Sequence, residues 1–246
     1  MDRLLIQRRA TQIREQLGVD HNSPIDLFSL TSSDEELTLV VYPFREEISG
    51  MCVKSAKLIA VNSNSTYGRK RFSLAHELYH YYFDENNTSV SCFKLDNHSS
   101  AFEKQANLFA SYLLMPDAIF STMCDKTTEN KKLRMDVVNI MELEQFFRVS
   151  RKAVLIRLYE EKYISKDEEL KFSKNIISTA RKNGFDTTLY SRSKNNSTKT
   201  YGSYLKKALT LKDGGAISKG KYEEYLFEAN RADIVFDENG DDEIYD

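Results

Sequence analysis

Histidine is scarce in this chain: among 246 residues only His21, His76, His80 and His98 occur. Cysteine is scarcer still, and Cys52, Cys92 and Cys124 are odd in number and far apart. That spacing excludes a disulfide framework and reads as free thiols in a reducing cytoplasm. Cys92 and His98 match no zinc-binding spacing. No apolar run approaches the ~18 residues of a membrane span. From Met1-Asp2-Arg3 onward no apolar segment precedes a small-residue cleavage site, so no signal peptide is expected and the expected location is cytoplasmic. Net charge is also lacking, with 35 Lys and Arg against 37 Asp and Glu. A charge of −2 gives no general attraction to nucleic acid. No internal repeat is evident. Hydrophobic residues at 41% and charged ones at 29% are those of an ordinary globular protein, long enough for one core and an appendage.

Two of the four histidines stand one helical turn apart. Residues 72–83 read Phe-Ser-Leu-Ala-His-Glu-Leu-Tyr-His-Tyr-Tyr-Phe and contain His76-Glu77-x-x-His80, the arrangement used by zinc peptidases. On a helix, positions i and i+4 lie about 40° apart, so His76 and His80 can grip one ion together. Glu77 lies about 100° from His76, placed to meet a water on the metal rather than to serve as a third ligand. Two surface histidines and a glutamate would be the plain alternative, but periodicity opposes it. Phe72, Ala75, Tyr79 and Phe83 form an apolar stripe that contains the pair. Interior histidines need partners, and a metal satisfies both at once.

A catalytic zinc site takes three protein ligands and keeps one position open. A metzincin would carry Gly at 83 and His at 86; this chain has Phe83 and Asn86, which excludes that class. The next helical segment runs from about residue 100 to 115 and stops at Pro116. Its stripe is Ala106, Ala110, Leu113 and Leu114, and Glu103 lies on it. An acid on an apolar face is explained either by a ligand role or by the helix dipole, which favours an acid in the first turn.

These two blocks resemble a known family. Arg69-Lys-Arg-Phe72-Ser-Leu-Ala-His76-Glu77-Leu-Tyr-His80, followed by Glu103-Lys-Gln-Ala106-Asn107-x-Phe109-Ala110-x-x-Leu113-Leu-Met-Pro116, looks like the ImmA/IrrE metallo-endopeptidases. The Ile48-Ser-Gly50, Ile59-Ala-Val-Asn62, Val149-Ser150 and Arg157-Leu158 segments fit the same pattern, over about residues 1–160. The resemblance implies zinc at His76, His80 and Glu103, with Glu77 as catalytic base. It also implies a substrate class, helix-turn-helix transcriptional repressors, cleaved to release genes of a mobile element or a stress response. The family often has Gly where this chain has Tyr79, which predicts a bulkier wall beside the metal.

The rest of the chain predicts an α+β, zincin-like fold. Residues 3–17 read as an amphipathic helix with Leu4, Leu5, Ile13 and Leu17 on its inner face. A second short helix opens at Pro24 and runs through Leu30. Strands are expected at 37–42, 50–54 and 57–61, the last two joined by a hairpin turn at Ser55 and Ala56. They would make a small three-stranded antiparallel sheet, with 57–61 as a cleft-lining edge able to bind an extended peptide. Residues 84–99 read as a polar connecting loop. Helices at 137–147 and 150–163 around a short turn resemble a helix-turn-helix. Their basic residues Arg148, Arg151, Lys152 and Arg157 are cancelled by Glu142, Glu144, Glu160 and Glu161, which favours a core-completing pair over DNA contact.

The expected organisation is therefore a metallopeptidase domain over 1–130, the helical pair packed on it over 131–164, and a C-terminal helical appendage over 165–246. Within the appendage, 191–200 reads as flexible and polar, 201–211 and 219–229 as helices, and 237–246 as an acidic tail. The functional expectation is an intracellular zinc endopeptidase acting on a protein substrate, a repressor in the first place. Histidine and carboxylate ligands also suit manganese or another divalent ion. The competing readings are a non-catalytic, metal-containing regulator that binds DNA or a partner, and a peptidase of a toxin–antitoxin-type system. The presence of Glu77 argues against a purely structural site.

Overall fold

The sheet is built around a strand whose first four residues, Leu58 to Val61, are all apolar. In the computed structural model, which describes residues 2–85, 88–92, 101–128, 134–192 and 198–237, helix α1 (Arg3–Gln16) and helix α2 (Leu27–Ser33) precede three strands, β1 (Thr38–Tyr42), β2 (Ile48–Val53) and β3 (Leu58–Asn62). Ile59, Ala60 and Val61 of β3 are all buried. A run buried on both faces belongs in the middle of a sheet, and β3 pairs parallel with β1 on one side and antiparallel with β2 on the other. Two further strands, β4 (Thr88–Cys92) and β5 (Lys199–Gly202), complete the order β4-β2-β3-β1-β5.

This corrects the expected three-stranded antiparallel sheet. Among the described residues the sheet has five strands and is mixed. The strand 57–61 is its centre, not its edge; the edges are β4 and β5. Alternation and turn residues locate strands but carry no information on which strand neighbours which. The missing signal was the unbroken apolar run of β3. The expected loop 84–99 contains β4, while 86–87 and 93–100 lie outside the described residues. The turn between β2 and β3 is a single 3₁₀ turn at Lys54–Ala56, closed by Lys57 in the left-handed region at φ 47°. The polar stretch 191–200 gives way at Lys199 to β5, which pairs antiparallel with β1. Gly202 then turns the chain at φ 81°, where a side chain would collide with the Leu37 carbonyl. The acidic tail beyond Asp237 lies outside the described residues.

Helix α3 (Tyr67–Phe83) packs across the sheet, and helix α4 (Ala101–Leu114) packs on α3 and α1. The inner face of α1 is Ile6, Ala10 and Ile13; Leu4 and Leu5 are exposed, because the first turn of α1 overhangs the core. Arg14 of α1 is buried and donates to the Leu113, Asp20 and Ser23 carbonyls. Helix α2 starts at Leu27 rather than Pro24, since the Asp26 carboxylate caps it by accepting from the Ser29 N–H.

Helices α5 (Asp117–Thr128), α6 (Val137–Phe147) and α7 (Arg151–Glu160) follow. Ser150 caps α7 through Ala153 N–H, and Ile140, Leu143, Phe147, Val154 and Leu158 join the main core. Two of the basic residues of this pair are buried. Arg151 forms an ion pair with Glu144, whose carboxylate also accepts from the Tyr190 hydroxyl. Arg157 pairs with Asp117 and lies 4.1 Å from the Tyr112 ring centre. Helices α8 (Lys166–Phe172), α9 (Ile176–Lys182), α10 (Ser203–Asp213), α11 (Lys219–Glu228) and α12 (Ala232–Asp237) make up the rest. Ala208, Tyr222 and Leu226 of α10 and α11 form a second, smaller core. No helix among the described residues is long and apolar enough to cross a membrane.

Breaking the Arg151–Glu144 pair leaves a charge buried without its counter-ion. Arg151→Met is expected to destabilise the fold by about 3–5 kcal/mol, and the double variant Arg151→Met, Glu144→Leu to recover most of that loss, both read from urea unfolding midpoints.

Candidate metal centre

Helix α3 is 17 residues long and turns its apolar stripe inward, with Leu74, Ala75, Leu78 and Tyr79 buried. His76 and His80 go in with that stripe and are 5% and 3% exposed. Helix α4 comes close enough to meet them because Ala106 and Ala110 at the contact are small and fully buried. That approach brings Glu103 over the histidine pair, one carboxylate oxygen to each ring. Its Oε2 lies 3.2 Å from His76 Nε2 and its Oε1 3.3 Å from His80 Nε2. The two Nε2 atoms are 3.2 Å apart. The structure thus brings His76, His80 and Glu103 into one group whose ligand atoms all lie within 4.8 Å of one another.

The opposite ring nitrogens are held from outside this group. His76 Nδ1 lies 3.0 Å from Asn107 Oδ1, and His80 Nδ1 lies 2.8 Å from Asp84 Oδ2. Both partners are acceptors at those atoms, so each Nδ1 carries the proton and each Nε2 presents its lone pair inward. Sequence reasoning missed Asp84 altogether and had Asn107 only as part of a motif. Their signal was spacing: Asp84 is at i+4 from His80 and Asn107 at i+4 from Glu103, each on the ligand's own face.

Electrostatics fit a cation. Hydrogen bonds to His76 and then His80 hold the Glu103 carboxyl well below the usual carboxylate range. Burial pushes the His80 imidazolium down, but the hydrogen bonds to Glu103 and Asp84 and the charge of Glu77 outweigh it and leave it raised. Two neutral imidazoles and a carboxylate suit a divalent metal, and the two Nε2 atoms, 3.2 Å apart, match the roughly 3.3 Å edge of a tetrahedron with bonds of about 2.0–2.1 Å.

Glu77 stands beside the group and is fully buried. Strand β2 makes room for it: a Cβ on Gly50 would stand 2.7 Å from Glu77 Oε1. Ser89 of β4 places its hydroxyl 3.5 Å from Glu77 Oε2. Residues 50 and 52 lie on the same face of β2. Cys52 is buried there, its thiol pushed up to about 12 by burial and then by the charge of Glu77. Lys54 donates to the backbone carbonyl of Asp84 over 2.5 Å, capping the end of α3. The Tyr79 ring stands edge-on to that of His80, 6.0 Å between centres. It also packs on Phe83 and Phe109, and the Tyr79 hydroxyl accepts from Arg9 and donates to Gln105.

The model of the IrrE N-terminal-like domain, Peptidase_M78, matches residues 25–159, more than half of the chain. The chain belongs to this family. Its members are ImmA/IrrE metallopeptidases, and a peptidase acts on a protein or peptide substrate. A comparison with the curated proteins finds no match. The matched region of this family member contains the whole histidine–glutamate group, Gly50, Ser89 and Asn107, and begins after α1.

Groups that orient metal-binding imidazoles are typically worth 10–100-fold in metal affinity. Asp84→Ala and Asn107→Ala are each expected to weaken divalent-metal binding by about that factor, measured by competition with a chromogenic chelator.

Proposed function

We propose that the protein is a zinc-dependent endopeptidase that cleaves a helix-turn-helix transcriptional repressor, releasing genes of a mobile element or a stress response. His76, His80 and Glu103 hold the metal, with manganese or another divalent ion as possible occupants. The observation that carries this reading is the fully buried Glu77 carboxylate beside a three-ligand group. A structural metal site has no need of such a base.

When bound, zinc supplies a Lewis acid that brings the pKa of a water to about 7 and polarises the scissile carbonyl. The protein's own residues do the rest. Glu77 takes the proton of the attacking water at its carboxylate and later returns it to the leaving amine. Gly50 fixes where that carboxylate stands, and Ser89 faces its second oxygen. Burial of His76, His80 and Glu77 keeps bulk water from screening these charges.

Strand β4 supports an endopeptidase over an exopeptidase. It is paired only with β2 among the described residues, so its other edge offers backbone N–H and C=O groups to an extended peptide. Ser89 sits on this strand within 3.5 Å of Glu77. A segment added to the β4 edge therefore runs past the base in the middle of its length. The repressor is the substrate class that the family resemblance implies. Net charge of −2 gives no general attraction to DNA itself.

The test is incubation of the metal-loaded protein with a helix-turn-helix repressor encoded beside its gene, followed by mass analysis of the fragments. Cleavage at one internal bond is expected. Glu77→Gln should retain the metal and lose cleavage by a factor of at least about 10³; an intact repressor, or cleavage that survives this substitution, would overturn the proposal. Gly50→Ala should retain the metal and slow cleavage about 10²-fold, because a displacement of the base of about 1 Å is enough for that loss.

A further inference from the structure

Glu103 occupies an awkward position for a ligand. It lies in the first turn of α4, where backbone N–H groups lack partners inside the helix and the end frays most readily. Its side chain is 30% exposed, against 7% and 3% for the two histidines. Something beyond the helix must hold this turn in place.

The contact lies on the other flank of α4. Gln105 is about 200° round the helix from Glu103, and its side-chain oxygen accepts from the Tyr79 hydroxyl. Tyr79 is fully buried, and its ring lies 5.5 Å from that of Phe109, one turn beyond Gln105 on the same flank. Arg9 of α1 completes the arrangement, donating to the Tyr79 hydroxyl at 3.0 Å with its guanidinium 4.7 Å from the Phe83 ring centre. Asn107 holds the near flank of α4 to His76. Holding a helix on two flanks fixes its rotation about its own axis. A roll of about 20° moves a group at the roughly 5–6 Å side-chain radius by about 2 Å, ten times the ±0.2 Å that a metal–ligand distance tolerates.

We propose that Arg9, Tyr79 and Gln105 form a positioning clamp that sets the rotation of α4 and thereby the place of Glu103 in the metal site. This rests on the metal-centre reading above. The clamp's origin is α1, which lies outside the family match at 25–159. The metal affinity of the family domain is thus set in part from a helix the domain itself does not include.

The test uses the full chain and measures the zinc dissociation constant by chelator competition and the visible spectrum of the cobalt-substituted protein. Tyr79→Phe, which removes one hydroxyl, and Gln105→Ala are each expected to weaken zinc binding 10–100-fold and to alter the cobalt spectrum. Gln105→Glu keeps an acceptor for Tyr79 and gives Arg9 a carboxylate, and is expected to bind zinc as the parent does. Should Tyr79→Phe not fold, Arg9→Met carries the same expected weakening. Parent-like zinc affinity and cobalt spectrum in both Tyr79→Phe and Gln105→Ala would overturn the clamp, as would a loss in Gln105→Glu equal to that in Gln105→Ala. A parent protein that binds neither zinc nor cobalt would overturn the metal centre itself, a separate and recognisable failure.

Discussion

Three electron-pair donors point at one another across little more than 3 Å in the interior of this protein. Such a group cannot stand alone: two imidazole lone pairs and a carboxylate repel unless a cation lies between them. The surrounding structure answers that requirement. Asp84 and Asn107 take the outward ring protons, so that the inward nitrogens are free to bind. Ala106 and Ala110 let the carboxylate helix come close. The sheet beneath supports the histidine helix, and one of its strands lacks a side chain where Glu77 stands.

The same constraint explains why the two ligand helices are so differently held. Helix α3 is anchored along its length by the sheet, by the close approach of Gly68 to Val149 and Ser150, and by Arg71, which donates to the carbonyls of Ile25 and Arg148. Helix α4 is anchored at its far end by Arg14 through Leu113 and nearer its start by the polar contacts of Gln105 and Asn107 and the packing of Ala106 and Phe109. The buried arginines Arg14, Arg71, Arg151 and Arg157 act as cross-links between elements, each spending its donors on carbonyls or carboxylates of distant segments.

Much of this was legible in the sequence. The helical repeat placed His76, His80 and Glu103 on inward stripes, and α3, α4, α6 and α7 lie where periodicity, Pro116 and Ser150 put them. What was not legible was adjacency. That β3 is the central strand, that β4 lies inside a polar connector, and that Lys199–Gly202 returns to the sheet are matters of which surface covers which. A local pattern does not record them. The α1 stripe failed for a related reason: Leu4 and Leu5 have the right periodicity, but the core ends before it reaches them. Tyr79 shows the converse. Its bulk suggested a wall beside the metal; the structure adds that its ring packs on Phe83 and Phe109 and its hydroxyl ties three helices together.

Strand β5 has a consequence for the order in which the molecule is made. Leu39 and Val40 of β1 pair with Tyr201 and Thr200, so one flank of β1 stays bare until most of the chain has left the ribosome. Every residue of the metal group is synthesised well before that point. A nascent chain can therefore carry all its ligands while its sheet still has an open edge, exposed to pairing with a neighbour. The short C-terminal strand thus covers, from outside the family match, the flank of β1 that the matched region leaves bare.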